Sequence, residues 1–193
     1  MVFGKKDGPY LEFLSKLPLF QDFDEREVKD LVGLLKERTL EPKEKLFEAG
    51  ETGDAAFVVY RGNIAVFVTE RSGRIREVAC MQPGDILGQV ALLDGGQRSA
   101  TCAAGSETTT VLELRRSAFN KAFDKHQSVA FKLLEVLTRV LARQFRNASK
   151  QLMERTESQK HAPATGQDRD FDNLFAEVTG KFSALSMNDV AMR

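Results

Sequence analysis

Neither sign of charge is in surplus in this chain: 28 Lys and Arg stand against 28 Asp and Glu in 193 residues. Without a basic excess there is no electrostatic footprint for nucleic acid or anionic lipid. Long apolar runs are missing as well, and none approaches the ~20 residues that a bilayer crossing needs. The opening MVFGKKDGPYLEFLSKL has two lysines but no long apolar core and no small-residue cleavage site, so it does not read as a signal peptide. There are two cysteines, Cys80 and Cys102, too few for a thiolate metal site or a disulfide scaffold; both read as buried small hydrophobes. The two histidines, His126 and His161, have no partner at nucleophile–base or metal spacing, and the acidic residues form no evident dyad. These shortages argue against an enzyme, a metal or cofactor protein and a membrane protein, and they favour the cytoplasm.

What remains is a globular composition, with 42% hydrophobic and 29% charged residues. Residues 1–36 read as helices. Apolar positions 10, 11, 13, 14 and 17 precede the stop at Pro18, and Asp24 can cap a second helix carrying Val28, Leu31, Val32, Leu34 and Leu35. Over 37–114 short Val, Ile, Phe and Thr runs alternate with glycine turns every eight to twelve residues, the pattern of a β-sandwich or barrel. AFVVYRGNIAVFVTE reads as a hairpin turning at Arg61-Gly62-Asn63.

Helix returns over 115–157. Its longer piece, from about Gln127, contains neither Gly nor Pro. Phe131, Leu134, Thr138, Leu141, Phe145, Ala148 and Leu152 follow a coiled-coil spacing, while Val129, Leu133, Val136, Leu137 and Val140 form a second stripe on the first half. That double stripe predicts a helix packed on its own domain and then paired with a second copy of the chain; a single wide stripe over the β-core is the alternative. Residues 158–193 form a polar linker and a stretch with Phe171, Leu174, Phe175, Val178, Phe182 and Leu185 at helical spacing, an amphipathic or partly disordered tail.

The segment with chemical content is ILGQVALLDGGQRSAT, residues 86–101. Gly88 permits close backbone approach, and QVALL is long enough for a helical turn whose first N–H groups lack acceptors. Arg98 then brings a planar fork of donors, and Ser99 adds a hydroxyl. Converging amides, one Arg and one hydroxyl suit a single phosphate; no Lys follows the glycines as in a P-loop. A glycine-rich hairpin with a surface arginine fits the same spacing.

The order of EAGETGDAAFVVYRGNIAVF and MQPGDILGQVALLDGGQRSAT resembles the cyclic nucleotide-binding domain family, whose phosphate cassette reads F-G-E-x-A-L, a short loop, then R-[ST]-A-[ST]. Here the matching residues are Leu87, Gly88, Gln89, Val90, Ala91 and Leu92, then Arg98, Ser99, Ala100 and Thr101. The resemblance implies an α+β, mainly β fold: an antiparallel β-roll with N-terminal helices, a short cassette helix and a long C-terminal helix. It implies a cyclic nucleotide ligand, cAMP or cGMP with cAMP favoured, and no further cofactor. Arg98 would pair with the cyclic phosphate. The backbone of Val90, Ala91, Ser99 and Ala100, with the Ser99 hydroxyl, would complete the cradle. Gly88 and Gln89 would meet the ribose 2′-OH. Gln89 departs from the family's glutamate, keeping an acceptor oxygen and losing the charge. Along the long helix Thr138, Arg139, Gln144 and Phe145 are within reach of a base, with Thr138 and Gln144 the candidate contacts. Only about 35 residues follow that helix, without a helix-turn-helix pattern, so direct DNA reading is not expected. The expected role is a sensor acting on a protein partner or a second copy. The alternative is a degenerate relative that serves as an interaction scaffold without nucleotide.

Overall fold

The computed structural model describes residues 7–70 and 72–159. Three helical pieces lead in: α1 (Asp7–Ser15), a 3-10 turn (Pro18–Phe20) and α2 (Glu25–Leu34). Asp24 starts α2 through a capping box. Its carboxylate accepts from the Glu27 N–H at 2.8 Å, and the Glu27 carboxylate accepts from the Asp24 N–H at 2.9 Å. Eight strands follow among the described residues: β1 (Leu35–Leu40), β2 (Lys45–Phe47), β3 (Ala55–Arg61), β4 (Ile64–Thr69), β5 (Ile75–Met81), β6 (Ile86–Leu87), β7 (Thr101–Ala104) and β8 (Thr109–Arg115). Between β6 and β7 lies the short α3 (Gln89–Asp94), and α4 (Arg116–Asp124) and α5 (Ser128–Gln159) close the fold.

The strands form two antiparallel four-stranded sheets, in the orders β1-β8-β3-β6 and β2-β7-β4-β5. One core lies between them, built from Leu40, Phe47, Phe57, Val59, Ile64, Val66, Met81, Leu87, Cys102 and Val111 with their neighbours. A second core joins the outer face of the first sheet to the helices, through Ala56, Val58, Leu112 and Leu114 against Leu14, Val28, Leu31, Phe119, Val129, Leu133, Val136 and Leu137. This explains why AAFVVY is apolar without alternation. Ala55, Phe57 and Val59 face the inter-sheet core while Ala56 and Val58 face helices, so both sides of β3 are covered.

Two expectations are corrected here. β3 and β4 are not a hairpin: β3 pairs with β6 and β8, whereas β4 pairs with β5 and β7. The chain crosses from one sheet to the other at Gly62, whose φ of +74° suits glycine. The Thr109 hydroxyl locks this corner, accepting from the Asn63 N–H and donating to the Asn63 carbonyl. Cys80 is exposed on β5 rather than buried, because that sheet edge is largely uncovered; Cys102 is fully buried.

α5 spans 32 residues, about 48 Å at 1.5 Å per residue. Val129, Leu133, Val136 and Leu137 pack into the helical core as the second stripe predicts. The coiled-coil stripe behaves differently: Phe131 is 44% and Phe145 65% exposed, so the single wide stripe over the core does not describe this helix. Ala148 is buried, and the side chain of Leu152 and the stretch 171–185 fall outside what is described. Charged contacts fix the first half of α5. Lys132 Nζ and the Ser128 hydroxyl both donate to the Glu27 carboxylate, and Arg139 reaches Asp22 at 3.4 Å. Among the described residues no helix is long and apolar enough to cross a membrane.

Candidate functional site

The loop before β3 and the loop after α3 are strapped together by backbone. Arg98 N–H donates to the Glu51 carbonyl at 2.8 Å, Gly50 N–H to the Arg98 carbonyl at 2.8 Å, and Gly53 N–H to the Gly96 carbonyl at 2.9 Å. These bonds fix the backbone from which the Arg98 side chain turns inward. The guanidinium lies over the Phe47 ring, 4.2 Å from its centroid, with Phe57 at 5.7 Å, and its Nη1 donates to the Gly88 carbonyl at 3.1 Å. Two glycines make room for it. A Cβ on Gly53 would stand 2.6 Å from Arg98 Nε, and one on Gly88 would stand 2.4 Å from Nη1. Gly88 also takes φ +76° to start α3.

Arg98 is 7% exposed, and burial lowers its pKa, opposed by the fields of Cys102, Asp54, Glu51 and Glu113. Among the described residues no carboxylate forms an ion pair with it. One carbonyl and a ring face therefore satisfy only part of a cation with five donors. A buried charge without a counter-ion is costly, so this arrangement is suited to an anion supplied from outside.

The other cassette residues fall around this cation. Ala91 is buried with its Cβ close to Gly53; Ala100 is buried beneath the loop; Val90 and Ser99 are exposed on the outer side. The Leu92 N–H bonds back to the Gly88 carbonyl, so the amides of residues 89–91 precede the first helical bond of α3. Gln89 is fully buried, and its Nε2 donates to Gln144 Oε1 of α5 at 3.2 Å. The structure thus brings Gln144 to the cassette. Thr138 instead faces solvent, its hydroxyl donating to the Leu134 carbonyl one turn back, and Phe145 and Arg139 point away to solvent and to Asp22. His126 is exposed at the α4–α5 junction, and among the described residues no three His, Cys, Asp or Glu side chains are grouped to hold a metal.

Sequence reasoning missed four participants. Phe47 and Phe57, the stacking platform, look like ordinary strand residues and carry no local signal. Gly53 sits in the glycine-rich EAGETGD, where its close approach to Arg98 is visible only in three dimensions. Arg116 clamps the far end of α3: its Nη2 donates to the Leu93 carbonyl at 3.1 Å and its N–H to the Asp54 carbonyl at 2.6 Å.

Comparison with known proteins agrees with this geometry. The model of the cyclic nucleotide-binding domain matches residues 37–126. The cyclic AMP receptor protein of Thermus thermophilus is 35% identical over 125 residues, covering 64% of this chain and 57% of that protein. The cGMP-dependent protein kinase egl-4 of Caenorhabditis elegans is 28% identical over 126 residues, 65% of this chain and 16% of the kinase. The chain therefore spans less than two thirds of the curated relatives it matches. A solved cyclic nucleotide-binding domain from Methylobacillus flagellatus superposes with a TM-score of 0.67 at 25% identity, covering 83% of this chain and 85% of that one. In cassette, roll and sequence together, residues 37–126 form a domain that matches the cyclic nucleotide-binding domain.

Proposed function

We propose that the chain is a cyclic nucleotide sensor, with cAMP favoured, that relays occupancy through α5. The observation that carries this is Arg98: a buried guanidinium with no carboxylate partner among the described residues, held by Phe47 and Gly88 beside the start of α3. The cyclic phosphate is the counter-ion in this reading. Arg98 binds it, the amides of Val90, Ala91, Ser99 and Ala100 with the Ser99 hydroxyl surround it, and Gly88 with Gln89 takes the ribose. Of the two relatives above, the one of higher identity is named for cAMP, which supports the preference.

The relay needs a listener. α5 shows Phe131 and Phe145 to solvent along a coiled-coil spacing, with Leu134 and Leu141 half-buried between them, a face that suits a second copy or a partner helix. The chain itself then contributes no chemistry: it is a cytoplasmic regulatory module, and nucleotide acts only to the extent that it binds two positions of α5 with different affinity. Calorimetric titration with cAMP and cGMP is the test. Heat with wild type and none with Arg98→Ala is the expected result. Absence of heat with either nucleotide at high micromolar concentration removes the sensor reading.

Gln89 supports the second reading, a scaffold without nucleotide, since the side chain expected to meet ribose is engaged by Gln144. That reading requires one partner to be retained equally by wild type and Arg98→Ala, with or without nucleotide.

A further inference from the structure

Gln144 is 2% exposed, and its Oε1 is used by Gln89. Its Nε2 is buried and finds no acceptor among the described residues. Buried side-chain donors are nearly always satisfied, so a donor in this condition beside a binding cassette points to a group that arrives with the ligand. Its position narrows the choice. Gln144 touches Gln89, and the residue before Gln89 is Gly88, whose carbonyl holds the Arg98 guanidinium. In a 3′,5′-cyclic nucleotide the 2′-carbon is bonded to the carbon that carries the phosphate ester, so the 2′-hydroxyl lies next to the anion. A hydroxyl is donor and acceptor at once. It can accept from Gln144 Nε2 and donate to a carboxamide oxygen of the same pair.

We propose that Gln144 is a ribose-binding residue, and that Gln89 and Gln144 form a neutral carboxamide clamp through which the 2′-hydroxyl is held to α5. This rests on the cyclic nucleotide reading and adds the group that connects ligand to helix. Two parts of α5 are held differently. Residues 128–139 are tied to the carboxylates of Glu27 and Asp22, whereas position 144 is held by a neutral pair at the cassette. A neutral clamp draws no charge from Arg98, so it reads the sugar without competing for the phosphate. A polar site built around a hydroxyl rejects an analogue lacking it.

The experiment titrates the full chain with cAMP and with its 2′-deoxy analogue. The proteins are wild type, Gln144→Leu and Gln144→Glu, the last keeping size and an acceptor but losing the donor; Arg98→Ala is the phosphate control. Wild type is expected to prefer cAMP by about tenfold or more, with both Gln144 variants reducing the preference to about threefold or less by weakening cAMP alone. Melting curves exclude unfolding as the cause. If wild type binds both nucleotides through Arg98 and the Gln144 variants keep its preference, the clamp is wrong and the sensor stands. The clamp is equally wrong if wild type has no preference. If wild type binds neither nucleotide, the sensor reading fails and the clamp with it.

Discussion

Adding one methyl group at Gly53 tests whether the seat of Arg98 governs binding. The backbone there is not in the left-handed region, so alanine brings no conformational strain of that kind. The cost is one of space. The new Cβ would stand 2.5 Å from Ala91 Cβ, 2.6 Å from Arg98 Nε and 2.7 Å from its Cζ, against the roughly 3.5–4.0 Å of ordinary carbon contacts. Ala91 is 3% exposed on α3 and has little freedom to retreat, whereas the guanidinium is the end of a flexible side chain lying on Phe47. The arginine is therefore displaced by about an ångström or more, enough to break a charge-assisted hydrogen bond worth about 1.5–3 kcal/mol. Nucleotide affinity should fall by about ten- to a hundredfold in calorimetric titration. The strain of overpacking costs the fold about 1–3 kcal/mol, which chemical denaturation measures separately. Gly33→Ala is the control. A Cβ there meets nothing within 4 Å inside α2, so the fold should gain about 0.5–1 kcal/mol with no change in affinity. A folded Gly53→Ala protein that binds as tightly as wild type would refute the reasoning.

The remaining predictions concern the fold that carries the site. Folded protein at pH 8 should react with a thiol reagent at Cys80 alone, since Cys102 is fully buried with its pKa pushed up to about 12; both should react in denaturant. Rapid labelling of two thiols in the folded state would contradict the described packing. Hydrogen bonds from Lys132 and Ser128 hold Glu27 down at about pKa 2, against an ordinary 4.5. A carboxylate lowered in this way stabilises the fold above about pH 4.5 and loses that contribution as the pH falls toward 2. Wild type and Glu27→Gln should thus differ by a constant stability from pH 5 to 7 and converge toward pH 2, in denaturation curves taken at each pH. A difference independent of pH would show that the ion pair is not the source.

Much of the architecture is legible because local chemistry and burial agree. Asp24 shows a cap before any contact is known, and glycine spacing marks the strand ends. The cassette is legible for the same reason: its glycines and Arg98 lie within a few residues of one another. The partners of Arg98 are not, because Phe47, Gly53 and Phe57 reach it through loop and sheet packing across 40 or more positions of sequence. Gln144 was one of several polar residues along a helix without breaks, and only the docking of α5 singles it out. Sheet membership is hidden in the same way. A glycine turn between two apolar runs looks alike whether the strands pair or part, and Thr109, 46 positions away from Asn63, decides the corner at Gly62.

The most direct measurement is a crystal structure of the chain grown with excess cAMP. A phosphate oxygen within about 3 Å of the Arg98 guanidinium, over Phe47 and beside the start of α3, is the result expected. Crystals from the same excess in which Arg98 still rests on the Gly88 carbonyl alone, with no nucleotide beside it, would contradict a cyclic phosphate as the partner of this buried cation.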